Sequence, residues 1–377
     1  MDGKLPGARQ ANLDALRIVA MLMIVTLHFL GHGGVLTYAI FMSRSYVFAY
    51  FAEGVCCVAV NCYVLISGYF LVDSSFRAKK LLTLEAQVLF YSAGIYLILL
   101  LAGLVSFSPL EALRAFTPTL SGQYWFFTVY IGLYILSPFL NAAVRAMSRR
   151  MLLGCVAVSV LLFSVWTGVF WYSTGLNFGK GLGIVWFAVL YLIGAYLKLY
   201  YVPSRRTGRL ALIYAAAALA VPVWYFAGAL LYKTPLADLL GQETVLGIAG
   251  MTYGYNQPLV LLSSLALFLL FLNMEIKSGP LSRLVGFLSP LTFGVYLIHN
   301  HPDVDRLLWS YADPVSHLGG AGFLPYMAAV VLGVYVLCSG IDLLRSLIFK
   351  PMTASRWFNR LAAKADALIA GAFPSVK

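Results

Sequence analysis

Apolar residues in this chain come in long unbroken runs, not in the alternating or one-sided patterns of soluble strands and helices. Ten runs of roughly 17 to 25 residues stand out, the length that carries an α-helix across a bilayer. They cover 15–33, 46–72, 82–105, 123–141, 151–170, 182–200, 210–231, 257–273, 284–300 and 322–344. The pattern predicts an all-α, polytopic integral membrane protein with about ten transmembrane helices. We read no internal repeat and no low-complexity tract.

Charge adds an orientation. The chain is 61% hydrophobic and only 11% charged, yet its formal net charge is +12. In a soluble protein such an excess would point to nucleic acid, but basic runs interleaved with aromatic residues are absent, so no nucleic-acid partner is expected. With the N-terminus in the cytoplasm, only Arg44, Arg114, Lys180, Lys233 and Arg306 of the 26 Lys and Arg fall on the outer side. The positive-inside rule therefore predicts that both termini are cytoplasmic. Lys4 and Arg9 lead into a first span that is read as uncleaved. The five cysteines all lie in apolar segments and form neither a disulfide framework nor a zinc spacing.

Two polar stretches stand apart from plain loops. The outer stretch after Lys233, "TPLADLLGQETVLGIAGMTYGYNQP", is too apolar to be simply solvated and is expected to dip into the membrane or cover a cavity. The C-terminal "SRWFNRLAAKADALIAGAF" sets Trp357, Phe358, Leu361 and Leu368 among basic residues, the composition of an interfacial amphipathic helix. The expected division is a transmembrane domain over 1–345 and a cytoplasmic tail over 346–377.

The first run, "LDALRIVAMLMIVTLHFLGH" (13–32), contains Arg17 and His28. Eleven residues apart on a helix, they fall within about 20° of one face and about 16 Å apart along the axis. Arg17 then sits near the cytoplasmic boundary and His28 past the bilayer midplane, where a polar group costs several kcal/mol unless it meets a cavity or a partner. Together they imply a polar path rising from the cytoplasm. Each also has a plain structural reading: interfacial snorkelling of Arg17, with Asp14 at i−3, and a histidine bonded to a neighbouring helix. Asn61 in the second run lies at the depth of His28, where it could orient an imidazole, line the cavity or bond between helices. Glu53 lies higher, at a level suited to an external substrate.

At these residues the chain resembles the acyltransferase-3 membrane family, whose first span carries an Arg-x10-His arrangement like Arg17 to His28. Other stretches agree in order along the chain. "VNCYVLISGYFL" (60–71) is similar to the family's Ser-Gly-aromatic second span. "YWFFTVYIGLYILSPFLN" (124–141) resembles its Trp-containing span with a Leu-Ser-Pro ending, and "WFAVLYLIGAYL" (186–197) its glycine-containing span. "SPLTFGVYLIH" (289–299) is close to its late Tyr-Leu-Ile-His span and "SGIDLLRSLI" (339–348) to its closing span. The closest likeness is to the short members that modify surface polysaccharide without an appended hydrolase-like domain. Where many relatives have an arginine-rich first cytoplasmic loop, this chain has "SSFRAKKLLTLE", with Arg77, Lys79 and Lys80. Lysine neutralises phosphate but lacks the planar bidentate fork of arginine.

The resemblance implies a membrane O-acyltransferase, in the first place an O-acetyltransferase, of the bacterial inner membrane. It would move an acyl group from cytoplasmic acyl-CoA, a substrate and not a bound cofactor, to a hydroxyl of a surface polysaccharide or its lipid-linked precursor. On this reading Arg17, Arg77, Lys79 and Lys80 hold the CoA phosphates. His28 and Arg17 are catalytic, with His28 either the general base or an acylated nucleophile. Glu53, Asn61, Ser67, Tyr69, Tyr124, Trp125 and His299 are candidates to orient the histidine or receive the acceptor, although packing alone could explain each of them. "HNHPDVD" (299–305) gathers His299, His301, Asp303 and Asp305 but shows no closed ligand set, and no metal is expected. Two rival readings are a glycan or lipid transporter or flippase, and a non-enzymatic partner in glycan assembly.

Overall fold

The computed structural model describes residues 10–169, 176, 179–204, 207–232 and 234–372. Of the basic residues that orient the chain, Lys4, Arg9, Arg205, Arg206, Lys233 and Lys377 lie outside these residues, as does position 170 at the end of the fifth apolar run.

Among the described residues all regular structure is helical. Eight helical segments among the described residues are long and apolar enough to cross a membrane: Ala11–Tyr38, Arg44–Leu71, Ala78–Leu101, Trp125–Ala146, Arg149–Trp166, Thr207–Leu231, Pro280–His299 and Phe323–Ala354. The sixth and eighth apolar runs form helices too, Ile184–Tyr200 and Pro258–Asn273, but at 17 and 16 residues they are shorter. Large apolar side chains face outward over these helices. Ile98, Leu101, Val336 and Leu337 are each at least 66% exposed. Such a surface is stable against lipid and not against water.

The helices that build the site are α1 (Ala11–Gly31), α2 (Arg44–Cys56), α3 (Ala59–Leu71), α4 (Ala78–Leu101), α5 (Trp125–Ala146), α6 (Ile184–Tyr200), α7 (Thr207–Leu231) and α8 (Pro258–Asn273). They continue with α9 (Pro280–Leu288), α10 (Thr292–His299), α11 (Pro302–Ala312), α12 (Phe323–Ala354) and α13 (Arg356–Ala372). Helix α1 stands at the centre and packs against α2, α3, α8, α9, α10 and α12. Its Leu13, Leu16, Ala20, Val25, Phe29 and Leu30 are fully buried. At its start, Asn12 Nδ2 donates to the carbonyls of Phe271 (3.0 Å) and Leu272 (3.2 Å) in the last turn of α8, where helix carbonyls lack a full set of intrahelical partners. At its finish, Gly34 takes φ 76°, a left-handed turn that only glycine adopts without strain.

Two apolar runs are broken helices. The second run is interrupted at Cys57–Val58, between α2 and α3. The ninth breaks at Ser289–Leu291, a short 3-10 turn between α9 and α10, where Pro290 has no amide hydrogen to continue the ladder. Helices α3 and α6 cross at backbone contact distance. A Cβ on Gly68 would lie 2.4 Å from the Tyr191 carbonyl oxygen, and one on Gly194 would lie 2.5 Å from that of Leu65. Small residues at such crossings let dispersion contacts hold helices together in lipid.

Candidate functional site

A cavity of about 1400 Å³ opens along the polar face of α1. Arg17, Met21, Ile24, Leu27 and His28 form one wall. Helix α3 adds Val60, Tyr63, Ile66, Ser67 and Phe70, and α5 adds Trp125, Phe126, Phe127 and Tyr130. The broken ninth run supplies Ser289, Pro290, Thr292, Phe293 and Tyr296. A helix break is tolerated at membrane depth where its backbone lines a cavity.

One end of the cavity is basic. Arg17, Arg77, Lys80 and Lys198 line it together with Asp14 and Asp73. Arg17 Nη1 donates to the buried Asp14 carboxylate at 2.6 Å, and Ser289 Oγ donates to the same carboxylate at 2.9 Å. The Tyr63 hydroxyl donates to the Arg17 carbonyl at 2.6 Å, and the guanidinium lies 5.4 Å from the centre of the Phe70 ring. Lys198 pairs with Asp73 at 3.5 Å and lies 5.0 Å from the Tyr69 ring centre. The two carboxylates offset two of the four cations, so the positive surplus at this mouth comes from Arg77 and Lys80.

Toward the other end stands His28. Its Nδ1 is 2.9 Å from His299 Nε2, and His299 Nδ1 is 2.5 Å from the carbonyl oxygen of Val295. These contacts fix the protons. A carbonyl only accepts, so His299 Nδ1 carries the hydrogen, and a neutral His299 then presents a lone pair at Nε2. His28 Nδ1 must donate to it, which leaves Nε2 of neutral His28 as a lone pair. The unprotonated ring nitrogen of His28 is thereby assigned to Nε2.

One face of the His28 ring is covered by His32, stacked at 4.4 Å between ring centres with an 11° tilt. His32 Nδ1 contacts Asp305 Oδ1 at 2.8 Å, and Trp309 Nε1 donates to the same oxygen at 2.7 Å. His28, His32 and Asp305 offer ligand atoms within 4.8 Å of one another, close enough to ask whether they hold a metal ion. A ligand nitrogen binds in the plane of its ring, and two nearly parallel stacked rings share no such point. An ion between them would require one ring to turn and break its present bond. In the rest of the "HNHPDVD" segment, His301 Nε2 donates to the Ser92 carbonyl at 3.1 Å, while its Nδ1 accepts from the Asp303 amide at the start of α11. Asp303 pairs with Arg306 at 3.3 Å.

Of the residues singled out in the sequence, Arg17, His28, Ser67, Arg77, Lys80 and Trp125 line the cavity. Lys79 points elsewhere: its ammonium donates to Asn359 Oδ1 at 2.7 Å. Asn61 is fully buried, donating to the Tyr255 carbonyl at 2.8 Å and Ser264 Oγ at 3.1 Å while accepting from Trp186 Nε1 at 3.1 Å. It holds Tyr255, which does line the cavity and stacks on Trp125 with a 12° tilt between rings 6.2 Å apart. Tyr69 packs in a T-shaped contact on Phe268, and the buried Tyr124 hydroxyl donates to the Leu297 carbonyl at 3.1 Å. Glu53, in α2, is not among the cavity-lining residues. His299 is fully buried and touches His28 directly.

Tyr63, Tyr130, Lys198 and Tyr255 also line the cavity, although no motif in the sequence marks them as site residues. Tyr255 comes from the outer stretch expected to dip or cover, whose short helices Pro235–Leu240 and Gln242–Met251 precede it.

A family model described as an acyltransferase domain matches residues 10–342, nearly the whole chain. The chain belongs to the acyltransferase-3 family. With its apolar helices, this makes it a multi-pass membrane acyltransferase. No curated protein and no solved structure matches it. The matched range contains every cavity residue named above, from Asp14 to Tyr296, and leaves α13 outside it.

Proposed function

We propose that this acyltransferase moves an acyl group, in the first place acetyl, from cytoplasmic acyl-CoA to a hydroxyl of a bacterial surface polysaccharide or its lipid-linked precursor. On this reading it sits in the inner membrane with ten crossings, α6 and α8 included, and both termini in the cytoplasm. The skew of Lys and Arg to one side supports that orientation. Residues 1–345 then form the transmembrane catalytic domain, and 346–377 a cytoplasmic tail whose helix lies at the interface.

The observation that carries the proposal is the hydrogen-bond chain from Val295 O through His299 to His28, which leaves His28 Nε2 unprotonated beside a cavity whose other mouth is basic. CoA is too highly charged to cross a bilayer, so the acyl group must travel while the nucleotide stays inside. Arg17, Arg77, Lys80 and Lys198 are suited to its phosphates. A cavity of about 1400 Å³ exceeds the 300–1,000 Å³ of an ordinary small-ligand pocket, which leaves volume for a pantetheine arm. Trp125 and Tyr255 offer a stacked aromatic wall for a sugar ring.

Two routes use the same atom. As general base, His28 Nε2 takes the acceptor hydroxyl proton while the oxygen attacks the thioester carbon. The C–S bond then breaks, and the imidazolium returns the proton to the departing thiolate. As nucleophile, Nε2 itself attacks the thioester carbon and the C–S bond breaks to expel the thiolate; the acceptor oxygen then attacks the acyl carbon, the C–Nε2 bond breaks, and the hydroxyl proton passes to the freed Nε2 and from there to the thiolate. In both, positive charge builds on the His28 ring, and His299 accepts the bond from its Nδ1–H.

One observation favours transport as a second reading: the broken ninth run lines the cavity, as discontinuous helices do in transporters. The deciding experiment is proton NMR of surface polysaccharide from a deletion strain complemented with wild-type protein or with His28→Ala at equal membrane abundance. Acetyl signals restored by wild type alone support acyl transfer. Signals restored equally by both overturn the role of His28. Signals restored by neither favour a different cargo or a transport function.

A further inference from the structure

The basic mouth is held from outside the family-matched region. Four consecutive residues, 77–80, start α4 and carry its cations. Arg77 occupies the N-cap position with no side-chain cap of its own. Its backbone is tied to α5, where the Tyr134 hydroxyl contacts the Arg77 amide at 3.1 Å and its carbonyl at 3.2 Å. Lys80 Nζ sits 4.7 Å from the centre of the same Tyr134 ring.

The other side of this turn is gripped by the tail helix α13. Asp366 Oδ1 accepts the Ala78 amide hydrogen at 2.7 Å, so the carboxylate missing from the cap position of α4 is supplied from a distant part of the chain. Lys79 Nζ donates to Asn359 Oδ1 at 2.7 Å. Phe358 and Ala362 on the same face of α13 are buried, at 4% and 3% exposure, where the helix packs on α4 and α12. A helix that only anchored the chain to the membrane would have no need of polar bonds to these particular residues. The alternation of partners is telling: Arg77 and Lys80 face the cavity, while Ala78 and Lys79 between them are tied to the tail.

We propose that α13 is a positioning element for the donor mouth and that Asp366, with Asn359, sets the first turn of α4 so that Arg77 and Lys80 project into the cavity. The inference rests on the reading that this mouth binds acyl-CoA. Asp366 touches no substrate; it acts through the backbone that carries the two cations.

The test uses the full chain in nanodiscs, as wild type, Asp366→Ala, Asp366→Asn and Asn359→Ala. Coenzyme A binding is followed by calorimetry, and amide hydrogen exchange is followed over 77–81. The expected result for Asp366→Ala is faster exchange at the start of α4 and at least fivefold weaker CoA binding. In turnover, KM for acetyl-CoA rises while kcat holds. Asp366→Asn retains binding, because its amide oxygen still accepts from the Ala78 amide. Unchanged CoA affinity and exchange in Asp366→Ala overturn the inference, and so does a fall in kcat with KM unaltered. If Asp366→Ala fails to fold, Asn359→Ala decides by the same readouts. A wild-type protein that does not bind CoA overturns the donor reading and this inference with it, whereas wild-type binding matched by the alanine variants overturns the inference alone.

Discussion

His28 Nδ1 and His299 Nε2 are 2.9 Å apart across 271 residues of chain, and the Val295 carbonyl behind His299 determines which of them donates. The direction of that bond selects one tautomer of His28 and one acting atom, Nε2. Replacing His28 by Ala removes the proposed base or nucleophile and is expected to lower turnover by ~10²–10⁴-fold, the usual contribution of a positioned general base. Replacing His299 by Ala leaves the imidazole present but free to carry its proton at either nitrogen, so the expected loss is smaller and falls on kcat. Steady-state kinetics with acetyl-CoA and an acceptor glycan check both. A His299→Ala protein with wild-type kcat would show that the pair is only structural.

Arg17 is held on three sides: by Asp14, by the Tyr63 hydroxyl on its carbonyl, and by the Phe70 ring. A charged hydrogen bond to phosphate contributes ~1.5–3 kcal/mol, so Arg17→Ala should raise KM for acyl-CoA by roughly 10- to 100-fold. Arg17→Lys should recover little of this. A lysine ammonium lacks the planar fork that engages Asp14 and a phosphate together. Full rescue by lysine would show that only net charge at the mouth counts.

Lys79 and Lys80 are neighbours in sequence and opposites in the fold: one bonds Asn359, and the other lines the cavity over Tyr134. Lys80→Ala is expected to weaken CoA binding most at low salt, because a partly exposed charge is screened as ionic strength rises. Lys79→Ala should leave the salt dependence of binding as in wild type. Titrations at two salt concentrations separate the pair, and equal salt slopes for both variants would sink the distinction.

The contrast shows what was legible in the sequence. Apolar run length located the eight helical segments long enough to cross a membrane, because crossing demands that length, and it also located the shorter helices α6 and α8. The Arg17–His28 face followed from helical rise and rotation within one element. Depth along an axis does not give direction around it: Asn61 lies near the level assigned to His28 but turns toward Trp186 and Ser264. Choosing between Lys79 and Lys80 needed the first turn of α4, which tertiary bonds fix. Tyr63, Tyr130, Lys198 and Tyr255 come to the cavity from four separate parts of the chain, and His299 meets His28 only through packing. The two helix breaks were also hidden, since Cys57–Val58 and Ser289–Leu291 sit inside runs that are apolar enough to read as continuous.

Trp125 and Tyr255 form the aromatic wall that we assign to the acceptor. Aromatic stacking contributes ~0.5–1.5 kcal/mol beyond buried area, so Trp125→Ala should raise KM for the acceptor by several-fold while KM for acyl-CoA stays unchanged. Trp125→Phe should restore most of the loss. An effect on acyl-CoA and none on acceptor would place Trp125 beside the pantetheine arm instead.

The crossing of α3 and α6 tests whether the cavity depends on close helix approach. Ser67 and Phe70 line the cavity on either side of Gly68 and Tyr69, and Gly68 sits against the Tyr191 backbone with no room for a Cβ. Backbone cannot yield as a flexible side chain can, so Gly68→Ala must push α3 and α6 apart. Overpacking of this kind costs ~1–3 kcal/mol. The same displacement would move Ser67 and Phe70, and with Phe70 the ring beneath Arg17. The expected outcome is a lower thermal midpoint in detergent together with weaker CoA binding by the protein that remains folded. Gly94, which faces open space on α4, provides the control: Gly94→Ala should change neither. A Gly68→Ala protein as stable as wild type would show that the two helices have slack at this crossing.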